Sequence, residues 1–148
     1  MEVGEGMIML GLTEKASDVR QHFSEFIDTV VRDRPGFLTR NRDILATLNL
    51  EHLEVLLESV RFHADIQPDG QGNYVGTLRE IEDIVATGGT EQDVITDLAR
   101  NLTEYAEEYL TDSFRLYFYA PNRRMHFPYV LKIAMQTDQE RVANLIHA

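Results

Sequence analysis

The 148-residue chain contains no cysteine. This absence excludes disulfides, zinc sites built on thiolates and cysteine nucleophiles, and it is typical of a reducing compartment. No apolar run approaches the ~20 residues of a membrane-spanning helix, and residues 1–12 contain no basic residue that could begin a signal peptide. We therefore expect a cytoplasmic protein that does not contact a membrane.

Basic residues are scarce, because 14 Lys and Arg stand against 25 Asp and Glu and give a net charge of −11. This overall charge opposes binding to nucleic acid. At physiological salt, however, an exposed charge acts over only ~8 Å, so a local basic cluster can still hold phosphates. A strongly acidic surface is also suited to a basic protein partner.

An amphipathic helix is the strongest pattern in the first part of the chain. Between residues 14 and 33 the apolar residues recur every three or four positions, which predicts one helix with an apolar stripe. Thr13 is a suitable N-cap, and Pro35-Gly36 ends the helix. The stripe consists of Ala16, Val19, Phe23, Phe26, Ile27, Val30 and Val31.

Short strands and a second helix are predicted on either side of this helix. Residues 7–12 form an apolar run suited to a strand, and residues 37–40 and 44–50 predict a hairpin closed by Asn41-Arg42-Asp43. Asn49 is a suitable cap for a helix that ends near residue 59. A unit of this size buries only ~60% of its unfolded surface, so we expect it to self-associate.

These elements resemble the amino-terminal module of the Phd/YefM antitoxins. That family shows an apolar strand, a helix with a Ser-Glu-Ala-Arg-like start followed by Phe-Ser, a Thr-Arg strand end, an Ala-containing strand and a short helix. The matching pieces here are residues 7–12, 17–24, Thr39-Arg40, 45–48 and 49–56. Asp18-Val19 replaces the Glu-Ala pair. Arg42 replaces the usual hairpin glycine, so Asn41 is expected to adopt the left-handed conformation.

The resemblance implies a homodimer that reads palindromic operator DNA through Arg20 and Arg40. Lys15 and Arg42 would add to this basic cluster. A two-fold dimer doubles any such cluster and matches the symmetry of a palindrome, and arginine binds phosphate or guanine with two parallel hydrogen bonds. Two alternatives stay open: the four residues are solvated surface charges, or the dimer is a protein-interaction scaffold that does not bind DNA.

A second module is predicted from about residue 60 onward. Residues 60–66 and 74–78 read as a hairpin around the turn at 68–73, residues 81–86 as a third strand, and Thr90 as the cap of a helix that runs to Leu110. This order resembles the HicB-like antitoxins, and Tyr74, Gly88 and Thr90 carry the resemblance. The family's Pro-x-x-Pro-Gly stretch is absent, because residues 78–81 take its place.

No metal, cofactor or catalytic site is expected. The HicB-like fold resembles a reduced RNase H, so Asp65, Asp69 and Asp83 were natural candidates for a magnesium site, with His63 on the same side of its strand as Asp65. Asp69 belongs to a turn, where aspartate serves the backbone. No second acidic cluster completes a site, and the five histidines form no pair at metal-ligand spacing.

Aromatic residues concentrate near the carboxyl end, where six of the 13 lie between Phe114 and Tyr129. Residues 114–119 alternate and predict a half-buried strand, followed by a loop that carries Arg123 and Arg124. Base stacking or a protein-binding surface are the other options. Residues 130–135 fit either a strand or a helix, and residues 137–140 form a capping box for a final helix.

Together these patterns predict an α+β homodimer. Residues 1–59 would form a Phd/YefM-like dimerisation and DNA-binding module, and residues 60–148 a HicB-like module with a carboxy-terminal extension. The function implied is that of a type II antitoxin, which is not an enzyme. It would bind operator DNA as a dimer and neutralise a basic cognate toxin.

Overall fold

The computed structural model describes residues 11–148, and the predicted α+β fold class is confirmed. The chain divides into two compact units, Met1–Leu56 and Leu57–Ala148, called here the first and second unit. The sequence had placed this boundary after residue 59. No helix in the described part of the chain is long and apolar enough to cross a membrane.

Within its described residues, 11–56, the first unit contains a three-stranded sheet and three short helices. Its elements are β1 (Thr13–Lys15), α1 (Ala16–Gln21), α2 (Phe23–Arg32), β2 (Gly36–Arg40), β3 (Asp43–Thr47) and α3 (Leu50–Leu56). The strand order is β1-β2-β3, with β1 parallel and β3 antiparallel to β2. The predicted hairpin is confirmed, and Asn41 in its turn has the expected left-handed backbone, with φ of 57°.

The prediction of one continuous helix over residues 14–33 was wrong. Glu14 belongs to β1, where it pairs with Leu38 of β2, and Thr13 lies in the same strand rather than capping a helix. His22 separates α1 from α2 with a non-helical backbone. Apolar spacing continues across this break, so the sequence pattern did not reveal it. Of the strand predicted at 7–12, residues 7–10 lie outside the described part and residues 11–12 precede β1.

The core of the first unit is small. Val19, Phe26 and Val30 are buried, with Ile27 and Leu38 packed against them. Gly36 allows β2 to begin against α2, since a Cβ at this position would lie 2.4 Å from the Phe26 ring. The sequence-predicted cap Asn49 accepts a hydrogen bond from the Glu51 amide and donates one to the Val31 carbonyl, both at 3.0 Å.

The second unit combines a four-stranded sheet with one long helix and several short ones. Its elements are β4 (Phe62–Pro68), β5 (Tyr74–Leu78), β6 (Val85–Gly88), α4 (Glu91–Leu110), α5 (Phe114–Phe118), α6 (Phe127–Ala134), α7 (Gln139–Asn144) and β7 (Ile146–His147). The strand order is β6-β5-β4-β7, and only β7 runs parallel to its neighbour.

Short sequence signals, such as turn and cap residues, predicted most elements of the second unit correctly. Asp69 accepts hydrogen bonds from two amides of its own turn, at 2.7 and 3.1 Å, and Thr90 caps α4 by accepting from the Asp93 amide at 3.0 Å. The core lies between α4 and the sheet. A Cβ at Gly76 of β5 would lie 2.4 Å from Cγ1 of Val94 in α4. Glycine at this position therefore lets the helix pack closely against the sheet.

Three predictions in the second unit need correction. The third strand begins at Val85 rather than residue 81. Ile81 and Ile84 are buried, but they belong to the loop before this strand. Residues 114–119 are not a strand: Phe114–Phe118 is a helix whose aromatic rings pack against Phe127. The final helix is capped by Asp138 rather than residue 137. Residues 130–135, left open by the sequence, lie mainly in α6.

Candidate nucleic-acid interface

Strand direction brings distant basic residues of the first unit to one edge. Because β1 and β2 are parallel, their carboxyl ends meet at the same edge of the sheet. Lys15 is the last residue of β1 and pairs with Thr39, and Arg40 is the last residue of β2. Helix α1 begins directly after Lys15 and carries Arg20 in its last turn. The fold therefore places Lys15, Arg20 and Arg40 on the same side of the unit.

A surface concavity of about 580 Å³ lies at this edge. We call it the basic concavity; its lining comprises Lys15, Ala16, Ser17, Arg20, Thr39, Arg40 and Asn41. Three of the four residues that the sequence proposed for DNA binding therefore meet in one place. The fourth, Arg42, lies exposed in the hairpin turn and does not line the concavity.

The side chains of Lys15, Arg20 and Arg40 are exposed, and none of them forms an ion pair with a carboxylate of residues 11–148. Glu14 is adjacent to Lys15, but successive strand residues point to opposite faces, and Glu14 lies 3.2 Å from His22. Asp18 is two positions from Arg20, a spacing at which helical side chains do not face each other. These positive charges are available to an external anion.

Polar groups missed by the sequence analysis also line the basic concavity. Ser17, Thr39 and Asn41 supply hydroxyl and amide groups that can hydrogen-bond phosphates or base edges. The left-handed backbone of Asn41 turns the hairpin at this edge. Ser17 and Thr39 belong to the sequence motif that resembles the Phd/YefM family, so the motif could have identified them as site residues.

Asp65, Asp69 and Asp83, the candidates for a magnesium site, each have another role. Asp65 accepts two hydrogen bonds from Arg79, at 3.1 and 3.0 Å, and this arginine lowers the pKa of the Asp65 carboxyl. Asp69 caps its turn, and Asp83 pairs with Arg123 at 3.2 Å. Within residues 11–148 no group of three His, Asp or Glu side chains is arranged to hold a metal ion.

A polar network in the second unit was not predicted from the sequence. Arg123 donates a hydrogen bond to the Tyr105 hydroxyl at 3.2 Å, and that hydroxyl lies 2.7 Å from Nδ1 of His126. The Arg123 guanidinium also stacks 4.2 Å above the Tyr117 ring. Burial raises the pKa of Tyr105 and lowers that of His126, so both are neutral near pH 7. No local pattern links four residues so far apart in the chain.

Comparison with known proteins identifies the class. A family model named PHD-like and described as antitoxin of toxin-antitoxin, RelE/RelB, TA system matches residues 9–148. A crystal structure from Syntrophomonas wolfei subsp. wolfei, described as the antitoxin part of a proposed toxin/antitoxin system, is 39% identical in sequence. The match covers 92% of this chain and 96% of that one, with a TM-score of 0.84. No curated protein matches the chain. The chain belongs to the PHD-like family of antitoxins of toxin–antitoxin systems.

Proposed function

We propose that this antitoxin is a homodimer that binds operator DNA through the basic concavity and neutralises a basic toxin. The observation that carries the DNA-binding part is the convergence of Lys15, Arg20 and Arg40 around one concavity without ion-pair partners in residues 11–148. The Phd/YefM-like module, residues 1–59, then contains the first unit, and the HicB-like module, residues 60–148, lies within the second unit. The protein acts by binding and is not an enzyme.

The exposed apolar surface of the first unit supports dimerisation. Among residues 11–56, three form the buried cluster of this unit, while many large apolar side chains are between 39 and 70% exposed. They are Leu12, Phe23, Val31, Leu45, Leu50, Val55 and Leu56. A second copy would bury part of this surface and stabilise a unit that is too small to rely on its own core.

The basic concavity is suited to DNA despite the negative charge of the protein. The first unit contains six basic and ten acidic residues, so its net charge gives no general attraction to phosphate. Arginine side chains at the concavity can bind phosphate oxygens or the O6 and N7 atoms of guanine. A dimer presents two such concavities related by a two-fold axis, which is the symmetry of a palindromic operator.

A gel-shift assay against the DNA upstream of the chain's own gene tests this proposal. We expect specific binding that weakens with Arg20→Ala and with Arg40→Ala. Arg34→Ala is the matched control, because Arg34 is an exposed arginine of the same unit that does not line the concavity. The proposal would be contradicted if wild type gave no shift at low salt, or if Arg20→Ala and Arg40→Ala bound the DNA as tightly as the control Arg34→Ala.

The second candidate function is a protein-interaction scaffold that dimerises without binding DNA. The net charge of −11 and the exposed apolar surface of the first unit favour it. Sedimentation analysis together with the gel shift separates the two functions. A dimer that gives no shift at low salt supports the scaffold.

A further inference from the structure

Two concavities of the second unit share Asp83, which forms an ion pair with Arg123. The first, of about 320 Å³, is lined in part by Glu104, Tyr117 and Val85. The second, of about 240 Å³, is lined in part by Glu82, Met125 and His126. Asp83 lines both, so they adjoin each other. We call these concavities and their shared aspartate the Asp83 surface.

Each concavity contains a carboxylate that is free to pair with an incoming cation. Neither Glu104 nor Glu82 forms an ion pair within residues 11–148. The chain already shows how this surface holds a guanidinium, because Arg123 stacks on the Tyr117 ring while it pairs with Asp83. An aromatic ring beside a carboxylate is a favourable site for arginine or lysine.

The second concavity also contains a buried polar group with an unused hydrogen-bonding atom. His126 is only 8% exposed, and its Nδ1 faces the Tyr105 hydroxyl. Because that hydroxyl already accepts a hydrogen bond from Arg123, its own proton can be donated to Nδ1. A neutral imidazole that accepts at Nδ1 carries its proton on Nε2, and Nε2 has no hydrogen-bond partner in the described part of the chain. This N–H can donate a hydrogen bond to an external acceptor such as a peptide carbonyl.

Exposed apolar side chains adjoin these polar groups. Val85 lines the first concavity and is 51% exposed, and Met125 lines the second and is 75% exposed. The second unit contains eight basic and fifteen acidic residues, so its surface attracts a partner of opposite charge. Exposed apolar side chains beside charged groups are typical of protein-binding sites.

We propose that the Asp83 surface binds an arginine- or lysine-bearing segment of the toxin. One cation pairs with Glu104 and a second with Glu82, while Nε2 of His126 donates a hydrogen bond to a backbone carbonyl of the same segment. This inference rests on the proposed antitoxin function and assigns the toxin-binding site to the second unit.

The probe for the test is the product of the open reading frame that adjoins the gene of this chain, which we expect to be a small basic protein. Its affinity for the full-length antitoxin is measured by titration calorimetry. We expect the double variant Glu82→Gln/Glu104→Gln to bind at least about tenfold more weakly, because each substitution leaves a cation of the toxin unpaired. The control is Glu91→Gln/Glu107→Gln, which removes the same charge from exposed positions of α4 outside both concavities, and it should bind within about twofold of wild type.

A second measurement does not depend on substitutions. In the wild-type protein, toxin binding should shift the amide resonances of Glu82, Glu104 and Met125 and protect the imidazole N–H of His126 from solvent exchange. If the toxin binds wild type and the double variant equally, or shifts resonances elsewhere, the Asp83 surface is not its site, although the antitoxin function stands. If wild type does not bind the neighbouring protein, the proposed neutralisation and this inference both fail.

Discussion

The salt dependence of operator binding gives a quantitative test of the basic concavity. In the proposed two-fold dimer each protomer would contribute Lys15, Arg20 and Arg40, which gives six basic side chains. If each side chain neutralises one phosphate, about six counterions are released on binding. The logarithm of the binding constant should then fall with the logarithm of the salt concentration with a slope of about −5.4.

Removal of one arginine changes this slope by a predictable amount. Arg40→Ala deletes two phosphate contacts per dimer, so the slope should become about −3.6. Between 50 and 200 mM salt, the affinity of wild type should fall by about 1,800-fold and that of the variant by about 150-fold. The control Arg34→Ala, whose arginine lies outside the concavity, should keep the wild-type slope.

Fluorescence anisotropy with a labelled operator fragment, titrated at four or more salt concentrations, measures these slopes. The comparison depends on the difference in slope rather than on the absolute affinity, so a small change in protein stability does not affect it. An Arg40→Ala slope equal to that of wild type would refute the assignment of phosphate contacts to this concavity.

Three further predictions concern stability. Gly36→Ala should lower the free energy of unfolding by about 1–3 kcal/mol in urea denaturation, since its Cβ would overlap the Phe26 ring; an unchanged midpoint would contradict this packing. Lys132→Met should cost about 1–3 kcal/mol, because the ammonium donates to the carbonyls of Leu57 at 2.8 Å and Val60 at 3.1 Å; unaltered stability would show that these bonds contribute little. Burial lowers the pKa of His126 below its ordinary 6.5, so wild type should lose stability as the pH falls from 6.5 toward that lower value. His126→Gln should lose less over the same range, and an equal loss in unfolding free energy would assign the effect to other groups.

Structural features that are determined by interactions between residues close in sequence could be predicted from the sequence. Asn41 has to adopt a left-handed backbone because the hairpin turn requires one and no glycine is present. Asp69 and Thr90 were assigned to a turn and a cap because their short side chains reach nearby amides. Lys15, Arg20 and Arg40 of the basic concavity were also proposed from the sequence, although their contact with DNA stays a prediction.

Features that depend on distant contacts were not predictable. The pairing of Lys15 with Thr39 converts the expected start of a helix into a strand, and no local pattern shows it. Phe114 and Phe118 fit an alternating strand as well as a helix, and their packing against Phe127 decides for the helix. The Asp83 surface joins residues from the loop before β6, from α4 and from the segment before α6. Only the tertiary fold brings them together.

The most direct test of the central claim is a growth assay. The product of the open reading frame that adjoins this gene, which we expect to be a basic protein, is expressed in a bacterial host alone, with the wild-type antitoxin, or with the Glu82→Gln/Glu104→Gln variant. If the antitoxin acts through its second unit, the neighbouring protein alone should arrest growth. Co-expression of the wild-type antitoxin should restore growth fully, and co-expression of the variant should restore it less. Growth arrest that persists at equal expression of the wild-type chain would contradict the account.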